Sequence, residues 1–551
     1  MKKYHLVYLL FFSLILAMLP AQEALKSVEE EYYDFLALQG LTERPSLNYR
    51  TLSDSVWNVA ETEEHPWQDQ NLGIWHPLFG KFKMRAYAEL FMSGNTAAPY
   101  GQNDGVLWQG RGFNALFKTG VRFEGYGVEL TLLPHLAFSQ NAPFDIMPSH
   151  YENKYGYFWG YGDPKSGGGG ADAPQRFGDK PFFDWDFGDS EIRYTWRTLT
   201  IGFGTQAVWL GPAHLNSILH SNNAPAYPKF DIGLRRQKII IPKVGWYLGD
   251  VEARLWVGYL SESDYFDNNS SNDDTMFHGF AFAYAPPFLS GLTLFVNRVC
   301  LVPWEWKNLE FVVPETKNTI EDQKISLGFS WIFPKSGFEV YGEMGIDDRV
   351  LGKMGYIRHP FHATVYLGGL KKNFGIKPEK NIYGELLFEF NWMEMTQDFQ
   401  FQWPYSFYFH HQIKHGYTNR GQWLGNGVSP GGNGQYLSFA LYYPKGKGRF
   451  FIGRNNPDSN FIYQNAIGAS TENYAIARKY FRKNSANFIV GLNADYFLFN
   501  NFIISGGMVY NTIINPYYFY DNTKDENGDD KIQQNTFLHN GSFQFCIKVR
   551  L

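Results

Sequence analysis

The sequence predicts an all-β membrane protein, an antiparallel transmembrane β-barrel with a small N-terminal α-helical region. Aromatic residues make up 18% of the 551 residues, yet the mean hydropathy is only −0.34. Many segments alternate apolar and polar residues with a period of two, and after the N-terminus no apolar run is long enough for a membrane helix. A barrel explains this combination, because only every second strand residue faces lipid while the others face water.

The N-terminal residues predict export. Lys2 and Lys3 precede an apolar run over residues 6–19, which ends near the small residue Ala21. This is the pattern of a secretory signal peptide. A transmembrane anchor would need about 20 apolar residues, and this run is shorter. We therefore expect a signal peptide over residues 1–21 and a final location in the bacterial outer membrane.

The net charge argues against one class of partner, and the cysteine content limits the possible disulfide bonds. Removing Lys2 and Lys3 leaves 47 of the 49 Lys+Arg against 54 Asp+Glu, a formal net charge of −7. Neutralising phosphates needs a basic excess, so this charge argues against a nucleic-acid partner. Cys300 and Cys546 are the only cysteines, which rules out a disulfide framework but leaves one bridge between them open. No motif indicates a cofactor.

Residues 23–39 predict an amphipathic helix that ends at Gly40. Apolar residues recur there at spacings near three and four, with acidic residues between them. The apolar set is Leu25, Val28, Tyr32, Phe35, Leu36 and Leu38. The Pro-containing connection that follows predicts more helix or irregular structure up to about His76. We assign residues 22–78 to an N-terminal periplasmic helical region and residues 79–551 to the barrel.

From Lys81 onward the period of the pattern changes to two. Over residues 81–92, the apolar positions Phe82, Met84, Ala86, Ala88, Leu90 and Met92 alternate with Lys81, Lys83, Arg85, Tyr87 and Glu89. A strand with one charged face needs water on that side. The alternation recurs over residues 191–197, 250–259, 325–333, 338–344, 382–390 and 490–498.

Loops of uneven length separate these strands, which is typical of outer-membrane barrels. At about 10 residues per strand plus connections, the chain predicts an even number of strands between ~16 and ~20. Residues 542–551 alternate up to Leu551, and such a strand would leave an apolar edge unless it paired with the first strand of a closed barrel. A soluble β-sandwich is the alternative, but its outward face is polar and gives no reason for so many aromatic residues.

Residues 211–233, GPAHLNSILHSNNAPAYPKFDIG, contain Asn-Ser, Ser-x-Asn-Ala-Pro and Pro elements after a predicted strand over residues 199–203. This block resembles the signature region of the Wzi capsule assembly family. The supporting blocks are Ala173-Pro174 with residues 176–178, residues 341–343 with Asp347-Asp348, Tyr417 with residues 419–421 and Gly425, and residues 33–45. None of them is a catalytic motif, so the resemblance is one of order and pattern along most of the chain.

This resemblance implies a barrel of about eighteen strands that acts, without enzymatic activity, as a lectin-like anchor for capsular polysaccharide. We expect a monomer whose partners are surface polysaccharide and outer-membrane lipid. Aromatic rings offer platforms for sugar faces, while amide, carboxylate and guanidinium groups bond to sugar hydroxyls or uronates. The candidate polysaccharide-binding residues are His214, Asn216, Ser221, Asn222, Glu343, Asp347, Arg349 and Arg420. Polar residues inside a barrel also pair with each other to fill the lumen, and this alternative stays open for each of them.

Three other groups of residues could suggest chemistry. His214, Ser217 and His220 lie close together, but no Gly-x-Ser-x-Gly or comparable elbow surrounds Ser217. The spacing of His410, His411 and His415 brings imidazoles together only on a helix, whereas this aromatic segment predicts strand or loop. Asp525, Asn527, Asp529 and Asp530 match a calcium loop only in part. For the first group we favour a structural or ligand-contacting loop. For the second we favour aromatic residues and histidines at the level of the membrane interface, and for the third an exposed surface loop with weak cation binding.

Two other functions stay open at this point. A porin for sugars or ions predicts stepwise conductance in planar bilayers. A barrel lipid hydrolase predicts that Ser217→Ala abolishes hydrolysis.

Overall fold

The computed structural model describes residues 27–59, 64–70, 75–160, 169–312, 320–347, 354, 357–394, 406–461, 484–516 and 536–550. Within these ranges, eighteen antiparallel strands form one closed barrel, which confirms the predicted fold class. The predicted signal peptide lies outside the described residues.

The strands follow one another around the wall in chain order. They are β1 (Lys83–Asn95), β2 (Gly112–Gly125), β3 (Val128–Leu132 and His135–Ser139), β4 (Phe182–Asp186 and Glu191–Trp196), β5 (Leu199–Gly204), β6 (Lys229–Ile240), β7 (Tyr247–Ser261), β8 (Asp274–Ala285), β9 (Leu292–Pro303), β10 (Asp322–Phe333), β11 (Phe338–Asp347), β12 (Thr364–Lys377), β13 (Ile382–Trp392), β14 (Asn433–Tyr443), β15 (Gly446–Asn456), β16 (Ala486–Phe499), β17 (Phe502–Ile514) and β18 (Phe537–Arg550). Each of the strands predicted above is present, with ends that differ by a few residues.

Short pieces complete the elements. His76–Pro77 pairs with β1, Tyr49–Arg50 pairs with Trp209–Leu210, and Thr418–Asn419 pairs with Gln422–Trp423. In the described part of the chain, 3-10 turns span Trp306–Val312, Pro334–Ser336 and Pro378–Lys380. Within the described ranges, no helix has both the length and the apolar character that a membrane span would need.

The last strand closes the barrel. β18 pairs with β1 from Ser542 opposite Asn95 to Arg550 opposite Tyr87. Closure removes the unpaired edge that would otherwise expose backbone groups to lipid. The expectation from the alternating final segment is therefore confirmed up to Arg550, and Leu551 lies outside the described residues.

The two faces of the wall differ as predicted. On β1, Leu90 is exposed on the outer face, whereas Glu89 faces the lumen and pairs with Lys118 on β2 at 3.2 Å. Exposed apolar side chains occupy outer positions all around the barrel, among them Phe117, Phe230, Ile232, Leu255, Leu327, Phe388, Ile452, Val490 and Phe543. Charged side chains are buried on the inner face, for example Arg122, Arg193 and Arg254. This is the inverse of a soluble sandwich and suits hydrocarbon outside.

The two ends of the barrel have different connections. At one end, here called the turn end, short turns join neighbouring strands; the β2–β3 turn places Tyr126 and Gly127 at φ 53° and 82°, as a two-residue hairpin turn requires. At the opposite end, here called the loop end, the connections are long and several fold inward. Residues 205–228 leave the wall after the short strand β5 and enter the lumen, where Trp209–Leu210 meets Tyr49–Arg50.

The N-terminal helix, α1 (Val28–Gln39), lies in the lumen at the turn end. Ser27 caps its start by accepting the N–H of Glu30 at 3.1 Å, and Gly40 ends it at φ 81°. Its buried aromatic face packs on the wall, with Phe35 stacked on Tyr442 at 4.1 Å. The predicted helix is thus confirmed from Val28, while residues 23–26 lie outside the described part. Residues 40–59, 64–70 and 75 are irregular apart from Tyr49–Arg50, and the predicted boundary near residue 78 stays a prediction.

The two cysteines lie on different strands. Cys300 on β9 is buried, Cys546 lies on β18, and both thiols are free. The bridge that the sequence left open is absent from the structure.

Candidate functional site

Carboxylates on the barrel wall hold the inward-folded segments in place. Glu252 on β7 accepts hydrogen bonds from the backbone N–H groups of residues 47–49, at 2.6–3.1 Å. Glu389 on β13 accepts them from residues 214–216, at 2.7–3.1 Å. Each carboxylate thereby satisfies three consecutive backbone donors that no strand or helix pairs. The wall itself positions residues 211–233, the block that resembles the Wzi family.

A loop from the other side of the barrel packs on this block. Tyr408 donates its hydroxyl to the carbonyl of Ile218 at 2.5 Å, and Tyr417 donates to that of Leu219 at 2.8 Å. Ser221 donates its N–H to Leu424 at 2.8 Å. These contacts belong to the largest buried apolar cluster among the described residues. The aromatic segment around His410 is therefore a buried loop inside the barrel, and not a membrane-interface segment as its aromatic content suggested.

A buried charge cluster joins α1 to this block and to the wall. Asp34 of α1 accepts from Arg44 at 2.7 Å and from Lys371 at 2.8 Å. Glu339 takes both terminal nitrogens of Arg44, and His214 lies 3.4 Å from Glu339. Although burial alone would raise it, Arg44 and Lys371 hold the pKa of Asp34 well below its ordinary value. Burial, and then the charge of Lys371, lower the pKa of His214.

This cluster could in principle attract a metal ion. Ligand atoms of Asp34, His214 and Glu339 lie within 4.8 Å of one another. However, Arg44 and Lys371 already neutralise both carboxylates, and a cation would have to displace or repel them. The geometry favours a structural ion-pair network that ties the helix to the lumen.

A row of asparagines lines the inner face of the wall near the loop end. We call it the asparagine row; its members are Asn391 (β13), Asn455 (β15), Asn487 (β16), Asn511 (β17), Asn540 (β18), Asn95 (β1) and Asn114 (β2). Asn455 is directly opposite Asn487, and Asn511 is opposite Asn540. On β14 the row is continued by Gly434, where a Cβ would lie 2.8 Å from the Asn391 amide nitrogen. Seven of eight consecutive strands thus carry an asparagine at the same level.

The flanking members of the row anchor loops. Asn95 donates to the carbonyls of Tyr100, Gln109 and Gly110 at 3.0–3.1 Å, and Asn540 accepts the N–H groups of residues 97 and 98. At the other end of the row, Asn391 accepts from the Ser429 hydroxyl at 2.6 Å. These contacts fold residues 96–111 and 428–429 over the lumen.

The central members of the row face a cavity of about 280 Å³, which we call the amide cavity. Asn455, Asn487 and Asn511 each have a buried side-chain oxygen with no hydrogen-bond partner among the described residues. The other amides of the lining are Gln102, Gln109, Asn216, Asn223, Asn391 and Gln422. Gln435 also borders the cavity, but its side chain has the outward parity of Leu437. The aromatic lining is Tyr100, Trp108, Tyr436 and Phe451, with the last two stacked at 5.6 Å. Amides and aromatic rings are the groups that bind sugars.

A second cavity, of about 410 Å³, lies next to it and extends to the start of α1; we call it the charged cavity. Its charged lining is Glu31, Glu89, Asp104, Lys118, Asp186, Asp189, Lys447, Arg449, Asp495 and Lys548. Most of these charges are paired: Lys447 contacts Glu31 at 2.5 Å, and Lys548 contacts Glu29 at 2.7 Å. These pairs fix the first turn of the helix to β15 and β18.

The structure spreads the sequence-predicted residues over several places. Asn216 lines the amide cavity and accepts from Gln102 at 2.6 Å, while His214 and Asn222 line the charged cavity. Ser221 donates to Gly425 at 2.7 Å, and Glu343 is buried against Gly211. Asp347 pairs with Lys324 at 3.0 Å, Arg420 pairs with Asp184 at the loop end, and Arg349 lies outside the described residues. Their role in glycan binding stays a prediction.

The asparagine row was not recognised in the sequence. In sequence, each member is an asparagine within a few residues of the loop end of its strand. It always stands at a position where the alternation places polar side chains, on the inward face. A single asparagine near a turn is ordinary, and the row becomes visible only once the strand register is known.

The residues considered for other chemistry have structural partners. The Ser217 hydroxyl donates to the carbonyl of Leu210 at 2.6 Å, and the His220 ring contacts the Tyr227 hydroxyl at 2.7 Å. His410 accepts the N–H groups of residues 412 and 413, and His415 meets Thr275 at 3.1 Å. The partial calcium motif at residues 525–530 lies outside the described part of the chain.

The loop end also carries a pH-sensitive carboxyl group. Burial, then Asp172, Asp267 and Asp273, raise the pKa of Glu262 to about 10. This pKa exceeds the value of about 4.5 in the unfolded chain, so the folded loop binds a proton that the unfolded chain releases. The loop is therefore most stable below about pH 4.5, and its stability falls as the pH rises toward 10. We expect Glu262→Gln to slow hydrogen exchange of residues 261–274 at pH 8 and to leave it unchanged at pH 4. The control Asp264→Asn removes an exposed carboxyl of the same loop; an equal effect of both variants would contradict the prediction.

Comparison with known proteins bears on the fold. No family model and no curated protein matches the chain. Among solved structures, the chain is similar to Wzi of Escherichia coli, described as an outer membrane protein involved in group 1 capsule assembly and a carbohydrate-binding β-barrel. The identity is 13% and the TM-score 0.56, with 97% of this chain and 100% of that chain covered. The fold is that of an outer-membrane β-barrel.

Two further solved structures are more distant. OccAB1 of Acinetobacter baumannii has 8% identity and a TM-score of 0.36, with 85% of this chain and 96% of that chain covered. OprB of Pseudomonas putida has 10% identity and a TM-score of 0.35, with 85% and 94% covered.

Proposed function

We propose that this protein is a non-enzymatic outer-membrane barrel of the Wzi capsule assembly family, which binds surface polysaccharide at its loop end and holds it on the cell. The observation that carries the proposal is the amide cavity, which combines nine side-chain amides with aromatic rings at the loop end of the barrel. In outer-membrane barrels the long loops face the outside and the short turns face the periplasm. The cavity is then on the side where a surface glycan lies.

The filled lumen supports an anchor rather than a channel. Residues 28–55 cross the turn end, from Lys447 and Lys548 on one side to Glu252 and Arg254 on the other. Residues 205–228 and 406–432 fill the centre with a buried apolar cluster. A barrel specialised for diffusion would keep a water-filled passage instead. The resemblance of residues 211–233 to the Wzi family and the barrel similarity to Wzi point in the same direction.

Deletion of the gene tests the retention role. We expect total surface polymer to stay constant while most of it moves from the cell pellet to the medium, because an anchor acts after synthesis and export. Re-expression of the wild-type protein should return the polymer to the pellet. Loss of total polymer would instead indicate a role in synthesis or export, and an unchanged distribution would contradict retention.

Planar bilayers separate the anchor from a porin. We expect the purified full-length protein to give no stepwise conductance, because α1 and the inward loops occupy the lumen. Regular conductance steps of uniform size would contradict the anchor and favour the porin.

A further inference from the structure

We infer that the amide cavity binds an uncharged, hydroxyl-rich sugar unit of the polysaccharide, and that Asn455, Asn487 and Asn511 accept its hydroxyl protons. The inference rests on the proposed function, since it names the chemical class of the unit held at that site. It depends on three features of the cavity: acceptors without partners, a lining without free charge, and aromatic surface beside them.

The first feature is that members of the asparagine row differ in whether the side-chain oxygen has a hydrogen-bond partner. The side-chain oxygens of Asn114, Asn391 and Asn540 accept from hydroxyl groups or from loop backbone N–H groups, whereas the oxygen of Asn95 also has no partner among the described residues but lies outside the cavity lining. Asn455, Asn487 and Asn511 lie between them, and their oxygens have no hydrogen-bond partner among the described residues. A buried polar atom without a hydrogen-bond partner destabilises the free protein, and a ligand that bonds to it removes that cost. Three such atoms on neighbouring strands, all facing one cavity, form a set of acceptors for a ligand rich in O–H donors.

The second feature is the charge of the lining. Of its carboxyl groups, Glu389 is occupied by the N–H groups of residues 214–216 and by the Tyr341 hydroxyl at 2.7 Å. Asp104 accepts from Gln109 at 2.7 Å, and burial raises its pKa to about 6. Arg454 also borders the cavity, but its side chain has the parity of the exposed Phe450 and Ile452 on β15. Its guanidinium contacts Gln435, the opposite residue on β14, at 3.2 Å on this outer face. A uronate in the cavity would therefore meet carboxyl groups and no cation, whereas a neutral sugar meets amides.

The third feature is the apolar surface between the amides. The ring centroids of Tyr436 and Phe451 lie 5.6 Å apart with their planes inclined by 29°, and Leu107, Ile489 and Ile513 complete the patch. Sugar rings carry an apolar C–H face and a polar rim of hydroxyls, so a wall with both characters suits them. The adjacent charged cavity lacks this combination, because its lining is dominated by ion pairs.

Binding measurements on the purified full-length barrel in detergent test the inference. The neutral probes are tetrasaccharides of glucose, galactose and mannose, and the acidic probes are tetrasaccharides of galacturonate and glucuronate. Calorimetry and tryptophan fluorescence measure the affinity of the barrel for each probe. We expect at least one neutral probe to bind, and every acidic probe to bind at least about tenfold more weakly. Equal or tighter binding of an acidic probe would overturn the inference, and so would the absence of binding by every neutral probe.

Variants locate the binding to the central asparagines. Losing one hydrogen bond of about 1 kcal/mol should weaken binding about fivefold, so Asn487→Ala and Asn511→Ala should each do so, and the double variant about twentyfold or more. Asn493→Ala is the matched control: Asn493 lies on β16 with the same parity, its oxygen also has no partner among the described residues, and it faces the charged cavity. Its affinity should be unchanged.

Folding and function are separated by two further readouts. Heat-modifiable mobility on gels reports whether each variant still forms a barrel, and only folded variants are compared. If Asn511→Ala binds as well as wild type, the assignment of the site is wrong. Polymer retention in cells decides the proposed function independently: retention lost on gene deletion, together with binding of acidic probes alone, would overturn this inference and leave the anchoring role intact.

Discussion

Replacing Arg254 by methionine is expected to lower the free energy of unfolding by about 3 kcal/mol or more, the cost of leaving buried charge uncompensated. The guanidinium of Arg254 bonds to Asp231 at 2.6 Å and to Asp54 at 3.1 Å, and it lies over the ring of Tyr49 at 4.6 Å. All of these groups are buried inside the barrel. Arg193 and Arg235 still contact the two carboxylates in the variant, but the cluster loses one of its cations.

Urea unfolding of the detergent-solubilised barrel, followed by tryptophan fluorescence, measures this loss. A second substitution, Asp54→Asn, removes one of the stranded carboxylates and should restore part of the stability. The control Arg197→Met removes an exposed arginine at the turn end and should change stability by less than about 0.5 kcal/mol. If Arg254→Met and Arg197→Met unfold at the same urea concentration, the buried cluster does not support the fold as described.

Truncation of Phe35 to alanine is expected to cost about 3–5 kcal/mol, the usual loss for a fully buried aromatic ring. Phe35 is completely buried, stacks on Tyr442 and lies 6.0 Å from the ring of Tyr383. The same change should weaken the hold of α1 on the wall, because Phe35 makes the close stacking contact with Tyr442, whereas Tyr32 lies 5.9 Å from that ring and the other contacts include ion pairs. Limited proteolysis should then cut the first 60 residues faster than in the wild type, while the barrel itself stays intact.

Phe79→Ala provides the control, since Phe79 is 73% exposed near the turn end. It should leave both the protease sensitivity of the N-terminal segment and the unfolding midpoint unchanged. If the protease cuts the N-terminal segment of Phe35→Ala no faster than that of the wild type, the assigned packing of the helix is wrong.

The fold was predictable because the bilayer imposes a simple rule. A residue such as Leu90 must be apolar and its neighbour Glu89 can be charged, and this alternation persists through every spanning strand. The closing contact was also predictable, since residues 542–550 alternate as a membrane strand, and only a partner strand can pair the backbone groups of its free edge. The path of the chain inside the barrel was not predictable, because residues 41–55 and 205–228 have no period that indicates where they turn.

The candidate site was predicted only in part. Asn216 was selected from the block that resembles the Wzi family, and it lines the amide cavity. Asp347 and Arg420 were selected for their charge, and the structure pairs them with Lys324 and Asp184. Asn455, Asn487 and Asn511 could not be predicted as a group, because each is more than 20 residues from the next in the sequence. Only the pairing of their strands places them side by side.

By itself, the sequence determined the period of the strands, the apolar outer face, the wet inner face and the helix that begins the described chain. These are local properties, set by which solvent each side chain meets. Only the tertiary structure decided which carboxylates hold the inward loops, which charges neutralise each other and which amides share a cavity. Those outcomes depend on the pairing of strands far apart in the chain, and on polar groups that must find partners once water has been excluded around them.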